Sequence, residues 1–101
     1  MGNREKGTRD LMMNYRLRLS RDARKYFPRL DTSDMRKISA VIDALAVDPR
    51  PHGSVKPAGY ETIYRVRKGE YRIVYEIVDD EVLVFIIRIG RRKDIYRNLL
   101  K

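Results

Sequence analysis

The sequence predicts an α+β domain, because of the order in which its hydrophobic patterns occur. A short segment of alternating apolar and basic residues comes first, two segments of helical character follow, and alternating apolar runs fill the second half. We therefore expect one N-terminal strand, two helices and a three-stranded antiparallel meander, with the helices packed on one face of the sheet.

The length of 101 residues allows one domain and is too short for two. Residues 1–13 are polar and include possible alternative starts at Met12 and Met13, so we interpret them as a flexible leader and assign the domain to residues 14–101. There is no run of about 20 apolar residues, no signal-peptide pattern and no cysteine. We expect a cytoplasmic protein without membrane contact.

The first half of the chain has clear start and stop signals. Residues 15–19 alternate as a half-buried strand does, and Ser20 is a candidate N-cap for a short helix that Pro28 should shorten or kink. A second helix is predicted to begin near Asp31 and to end at the proline-rich loop 48–53. Its apolar face, spaced for a helix, carries Met35, Ile38, Val41, Ile42 and Leu45.

The second half reads as three strands, at residues 63–68, 71–78 and 82–89, with tight turns at 68–69 and 79–80. The third strand is apolar on both faces, which predicts a central position in the sheet. We interpret the acidic residues of the second turn as a solvated hairpin tip rather than a cation site.

A two-residue turn at 68–69 would place Arg65 directly opposite Arg72, and opposed residues share a sheet face. One face would then carry Tyr64, Val66, Tyr71, Ile73, Tyr75 and Ile77 and pack against the helices. The other would carry Arg65, Arg67, Glu70 and Arg72 and stay exposed; we call it the arginine face. Opposed like charges destabilise a sheet, and such local conflicts are typical of functional sites.

Alternation in the third strand extends the arginine face with an apolar floor. The residues assigned to this floor are Leu83, Phe85, Ile87 and Ile89. Gly90 is expected to turn the chain, so that Arg91, Arg92 and Tyr96 return to the rim of the same face.

The net charge and the residue types present limit the partners and reactions that we expect for this protein. The net charge of +9 favours a polyanionic partner, since each phosphate contact releases a condensed counterion. His52 is the single histidine and there is no cysteine, so a Ser-His-Asp triad is poorly supplied and a multi-histidine or cysteine metal site cannot form. No glycine-rich nucleotide-binding motif occurs. We expect no cofactor and no metal, with chemistry carried by arginine, lysine, tyrosine or carboxylates.

Three segments together resemble the RelE/ParE toxin superfamily. They are VDPRPHG at 47–53, YRVRKGEYRIVY at 64–75 and RIGRRKDIYR at 88–97. The resemblance implies the fold predicted above and, for RelE-type members, a ribonuclease that cuts messenger RNA in the ribosomal A site. It also implies an antitoxin partner, for which the basic charge of this chain suggests an acidic protein. The implied reaction uses the RNA's own 2′-hydroxyl to attack the adjacent phosphate.

Carried over by position, the resemblance implies a set of site residues. The implied catalytic residues are Arg65, Arg67, Arg72, Arg92 and Tyr96, and the implied RNA-binding residues are Lys68, Arg91, Lys93 and Arg97. The best-known members have lysines where this chain has Arg65 and Arg67. Arginine stays protonated and cannot readily act as a base, but its planar fork suits phosphate charge.

Three alternatives remain open from the sequence. A ParE-like toxin shares the fold, inhibits DNA gyrase and cuts nothing. A non-catalytic RNA-binding module would use the same basic face for phosphate contacts alone. An inactive remnant would only bind an antitoxin.

Overall fold

A four-stranded sheet organises the computed structural model, which describes residues 14–91. The strands are β1 (Arg16–Leu19), β2 (Ile63–Lys68), β3 (Tyr71–Val78) and β4 (Leu83–Arg91), in the spatial order β1-β4-β3-β2. The last three form an antiparallel meander, and β1 pairs with β4 in parallel. The predicted α+β class is confirmed, with β4 central as expected.

The first helix, α1, spans Arg21–Tyr26 and continues as a 3₁₀ turn over Phe27–Arg29. The Ser20 side chain accepts a hydrogen bond from the backbone N–H of Ala23 at 3.0 Å, which confirms the predicted N-cap. Pro28 lies within the 3₁₀ turn. Because proline lacks the donor that an α-helix needs, the helix changes to the tighter turn here.

The second helix, α2, spans Thr32–Val47 and begins where the Asp31 side chain accepts a hydrogen bond from the N–H of Asp34 at 2.8 Å. Its predicted apolar stripe faces the sheet. Ile38, Ile42 and Leu45 are buried, and Met35 and Val41 pack against them at the margin of the core. No helix in the described part of the chain is long and apolar enough to cross a membrane.

Both helices pack on one face of the sheet, as predicted. The strand residues buried beneath them are Val66, Ile73, Tyr75, Ile77, Val84, Ile86 and Ile89. At about 25 cal/mol per Å² of buried apolar surface, this shared core is the main source of stability. Within residues 14–91 no helix packs over the opposite face, which carries the arginines.

The register of the β2–β3 hairpin differs from the prediction. The turn residues are Gly69 and Glu70, so Lys68 pairs with Tyr71 and Arg67 with Arg72. Gly69 has φ +61°, which the first position of a tight hairpin turn requires and glycine accepts at least cost. The predicted pairing of Arg65 with Arg72 is wrong, and Arg65 instead lies opposite Val74. The faces of the arginines are unaffected, because the partner changes by two residues, but Glu70, predicted on the arginine face, lies in the turn.

A second difference concerns the connection between β3 and β4. A 3₁₀ turn over Asp79–Glu81 replaces the predicted two-residue turn, and Val82 follows in a left-handed conformation with φ +51°. β4 therefore begins at Leu83 instead of Val82. At its other end it continues through Gly90, which pairs with Arg72, so the predicted chain reversal at Gly90 is wrong.

An irregularity in β4 changes which side chains share a face. Val74 pairs with Arg88 while Tyr75 pairs with Ile86, so Ile87 is an extra residue in β4. Before this bulge the predicted alternation holds, with Leu83 and Phe85 on the arginine face. After it the alternation reverses. Ile89 lies in the core, contrary to the prediction, and Arg88 lies on the arginine face.

Candidate nucleic-acid interface

The arginine face brings together the three strand arginines predicted from the sequence. Arg65 and Arg67 come from β2 and Arg72 comes from β3. Alternation along a strand points all three away from the helices. Arg67 is exposed, while Arg65 and Arg72 are half-buried. Half-burial of the long side chains leaves the guanidinium groups positioned by packing rather than freely mobile.

The arginines occupy two neighbouring rows across the sheet. One row runs Arg65, Val74, Arg88, and the next runs Arg67, Arg72, Gly90. With ordinary strand spacing, the Cα atoms of Arg65 and Arg88 are about 10 Å apart and the two rows about 7 Å apart. Arginine side chains on such a grid can converge on one phosphate or on adjacent phosphates, with two parallel N–H donors each.

Arg88 is a functional candidate that the sequence reasoning missed. Without the bulge, strict alternation assigns it to the helix side, where an arginine would be buried. In the structure its side chain is 21% exposed, and Nη2 donates to Oδ2 of Asp22 at 2.8 Å. One feature of the sequence did indicate its exposure: Arg88 is the charged residue in an otherwise apolar strand, and charged side chains are almost never fully buried.

Two further features extend the face toward β1. Arg16 and Arg18 are exposed and pair with Leu83 and Phe85, so they share this side of the sheet. Phe85 is half-buried, and exposed aromatic surface beside cations is the combination on which nucleic-acid bases stack. The predicted apolar floor is thus confirmed for Leu83 and Phe85.

Backbone pairing fixes the outer edge of the arginine face. Val55, in the loop between α2 and β2, exchanges both backbone hydrogen bonds with Arg65, at 3.0 and 2.8 Å. The same loop is anchored by Tyr75, whose buried hydroxyl donates to the carbonyl of Pro49 at 2.7 Å. Burial raises the pKa of Tyr75 to about 12, so it remains a donor. His52, in this loop, is exposed.

Lys68 and Arg91, implied as RNA-binding residues, lie on the other side of the sheet. They flank Tyr71 in one row, and Tyr71 belongs to the helix side. Arg91 forms an ion pair with Glu70 at 2.9 Å, and its guanidinium lies 5.5 Å from the Tyr71 ring centroid. The prediction that Arg91 returns to the rim of the arginine face is therefore wrong.

These residues line a cleft of about 500 Å³ between α2 and the hairpin turn. Asp34 also lines it and accepts a hydrogen bond from the Tyr71 hydroxyl at 3.0 Å, which raises the pKa of Tyr71. The lining charges are of both signs. This cleft therefore differs from the arginine face, on which Arg65, Arg67 and Arg72 cluster.

A network of polar side chains closes the opposite end of the sheet. Asp79 accepts from Arg50 and from the Tyr15 hydroxyl, each at 2.8 Å, and these two bonds hold its pKa below the usual value. Arg50 also donates to the Tyr64 hydroxyl at 3.3 Å. The network ties the start of β1, the loop after α2 and the β3–β4 turn together, and it gives the Asp79 carboxylate two hydrogen-bond donors.

Four of the predicted site residues lie outside the described residues: Arg92, Lys93, Tyr96 and Arg97. Within residues 14–91, no group of three or more His, Cys, Asp or Glu side chains is arranged to hold a metal ion.

Comparison with known proteins identifies the family. Residues 14–96 match the model for the ParE toxin of the type II toxin–antitoxin system parDE. The chain belongs to this toxin family. The resemblance to the RelE/ParE superfamily is thereby confirmed, and the protein is a type II RelE/ParE-like toxin.

Relatives of the toxin carry RelE names. The putative toxin RelE1 of Methanocaldococcus jannaschii is 27% identical over 89 residues, which cover 85% of this chain and 99% of the relative. The mRNA interferase toxin RelE of Escherichia coli K12 is 27% identical over 93 residues, covering 88% and 97%.

Solved structures agree on the fold. The RelBE2 toxin–antitoxin complex of Mycobacterium tuberculosis contains a chain with a TM-score of 0.70 and 25% identity, covering 82% of this toxin and 97% of that chain. The intact E. coli RelBE complex gives a TM-score of 0.69 and 25% identity, covering 76% and 95%. These similarities confirm the RelE-like fold.

Proposed function

We propose that this toxin is an endoribonuclease that cleaves messenger RNA in the ribosomal A site. The observation that carries the proposal is the clustering of Arg65, Arg67 and Arg72 on the sheet face opposite the two helices of residues 14–91. The name of the E. coli relative, an mRNA interferase, supports the activity. A net charge of +9 supports a polyanionic substrate.

The proposed reaction is an internal transesterification. The 2′-oxygen forms a bond to the adjacent phosphorus as the bond to the 5′-oxygen breaks, so the upstream product ends in a 2′,3′-cyclic phosphate. The 2′-hydroxyl loses its proton and the leaving 5′-oxygen gains one. The nucleophile already lies beside the phosphorus, so no water needs to be activated.

The arginines would stabilise the charge that develops on the pentacoordinate phosphorus and on the leaving oxygen. Arg65, Arg67 and Arg72 can do this without changing protonation state. By the family resemblance we assign Arg92 to the same task, Tyr96 to stacking on a base, and Lys93 and Arg97 to phosphate contacts. Lys68 and Arg91, predicted to bind RNA, lie on the other side of the sheet, so we do not assign them to the RNA-binding face.

We further propose that an acidic antitoxin holds the toxin inactive in the cytoplasm. The M. tuberculosis and E. coli structures are toxin–antitoxin complexes, which supports a protein partner of this kind. Expression of the toxin alone should arrest growth, and co-expression with its antitoxin should restore it. Normal growth with abundant, folded toxin would contradict the proposal.

Primer extension on a translated message and on an untranslated copy tests the enzymatic part. Cleavage is expected in the translated message, at sites that a 2′-deoxy substitution blocks, and it should survive EDTA. A matched variant, Lys37→Gln on α2, changes one exposed charge away from the arginine face and should leave cleavage intact. Cleavage of the deoxy substrate to give a 3′-hydroxyl end would rule out this mechanism.

Inhibition of DNA gyrase is the second candidate, because the matching family model is that of ParE toxins. A supercoiling assay with purified gyrase separates the two functions. We expect no inhibition by the toxin. Inhibition without messenger cleavage would establish the gyrase alternative, and RNA binding without either activity would indicate a binding module.

A further inference from the structure

We propose that Arg88 is a fourth phosphate-binding residue of the arginine face, and that Asp22 occupies its guanidinium until RNA displaces the carboxylate. This inference rests on the proposed function, since it assigns the residue to the same RNA-binding face. It adds Arg88 to the RNA-binding residues predicted from the sequence, and it makes the Asp22 carboxylate an intramolecular competitor of the RNA phosphate.

The position of Arg88 puts it within reach of the same substrate. It lies directly opposite Val74, whose other neighbour across the sheet is Arg65. Arg72 is in the next row on the strand between them. A phosphate bound by Arg65 and Arg72 would therefore meet Arg88 on its β4 side, completing a group of cations around the buried Val74 side chain.

Local structure fixes both members of the Arg88–Asp22 pair. The backbone N–H of Ser20 donates to the Ile86 carbonyl at 2.8 Å, and its hydroxyl donates to the Ile87 carbonyl. Ser20 thus holds the bulge that turns Arg88 onto the arginine face. The same residue caps α1, whose first turn carries Asp22. Ser20 therefore positions both the Arg88 side chain and the Asp22 carboxylate that pairs with it.

The Arg88–Asp22 pair has features that would let an RNA phosphate replace the carboxylate. The Arg88 side chain is 21% exposed and largely packed, whereas the Asp22 side chain is 60% exposed at the surface. Asp22 accepts one hydrogen bond from a group that has five N–H donors. Because the carboxylate lies at the surface, water can take over its hydrogen bond, and a phosphate, with more oxygens to offer, can then bind the guanidinium in its place. Asp22 should therefore weaken RNA binding, while Arg88 strengthens it.

Opposite effects of two substitutions in one ion pair distinguish this proposal from a structural role. The probe is a fluorescently labelled single-stranded RNA with 2′-O-methyl riboses, which the proposed reaction cannot cleave. Its affinity for the full-length toxin is measured by fluorescence anisotropy. Arg88→Gln should weaken binding roughly fivefold, the effect of losing one exposed charge contact. It should also lower the slope of log affinity against log salt by about 0.7. Asp22→Asn should tighten binding by several-fold.

Matched variants on α2 control for net charge. Lys37→Gln and Asp43→Asn make the same charge changes on the helix that covers the opposite sheet face, and each should shift affinity less than its counterpart. Thermal melts confirm that all four variants are folded. Arg88→Lys should restore most of the salt slope.

The result that overturns the inference is equal weakening by Arg88→Gln and Lys37→Gln, or weaker binding by Asp22→Asn. If Arg67→Gln weakens binding while Arg88→Gln does not, this inference fails and the proposed RNA-binding face stands. If neither changes binding, the proposed face itself is wrong.

Discussion

Arg67 lies directly opposite Arg72 across the β2–β3 hairpin, so two guanidinium groups share one row of the arginine face. Facing like charges oppose strand pairing, and a sheet selected for stability alone would not keep them. A phosphate placed between them would relieve the repulsion. If RNA binds this face as proposed, the pair would link the stability of the hairpin to RNA binding.

The first prediction concerns this pair and the stability of the free toxin. Arg67→Gln should leave the free energy of unfolding unchanged or raise it by about 0.2–1 kcal/mol, because it removes the repulsion from Arg72. Urea titration measures the effect. Lys68→Gln, the adjacent substitution on the other side of the sheet, should give no such gain. A marked loss of stability in Arg67→Gln would contradict the observed register.

The second prediction concerns catalysis by Arg72. Arg72→Ala should lower the rate of messenger cleavage by about 10²–10³, as removal of one preorganised donor does in other enzymes. The cleavage rate of Arg72→Lys should lie between those of Arg72→Ala and the wild type, because lysine keeps the positive charge but lacks the planar guanidinium group. Primer extension at matched concentrations of folded protein measures the rates. Wild-type cleavage by Arg72→Ala would remove this residue from the mechanism.

The third prediction concerns Tyr96, which we assign to base stacking by resemblance. Tyr96→Phe keeps an aromatic face and should lose far less cleavage activity than Tyr96→Ala. Stacking on an aromatic side chain contributes about 1–3 kcal/mol per base, so the alanine variant should lose about 5- to 150-fold in RNA binding or cleavage. Equal losses in the two variants would point to the hydroxyl instead.

The fourth prediction concerns the loop that fixes the edge of the arginine face. Tyr75→Phe removes the buried hydrogen bond to Pro49 and should lower the free energy of unfolding by about 1–3 kcal/mol, since the carbonyl loses its partner. Tyr64→Phe removes a half-exposed hydroxyl and should cost less. Urea titrations of both variants give the comparison, and a larger cost for Tyr64→Phe would contradict it.

The fifth prediction concerns pH. Hydrogen bonds from Arg50 and Tyr15 lower the pKa of Asp79 in the folded protein below the ordinary 3.8. A lowered folded-state pKa contributes stability that is present above the ordinary value and lost as pH falls through the folded one. Melting temperature should therefore fall less steeply with acid in Asp79→Asn than in the wild type. Tyr15→Phe, which removes one of the two bonds, should be intermediate.

The sequence by itself determined the class of fold and the chemistry available to it. The alternation in β2 and β3 has a period of two, so it assigned Arg65, Arg67 and Arg72 to one face for either two-residue turn, Lys68–Gly69 or Gly69–Glu70. The N-caps at Ser20 and Asp31 were equally local, because a cap needs only its own first turn.

The tertiary structure decided what depends on pairing between distant segments. Gly69–Glu70 and Lys68–Gly69 are both plausible turns, and only the ladder with β3 selects the one that opposes Arg67 to Arg72. The bulge at Ile87 has no local signature, because it exists only where β4 pairs with β3 and Ser20 binds its backbone. Since one inserted residue reverses every later side chain in a strand, this feature alone moved Arg88 onto the arginine face and Ile89 into the core.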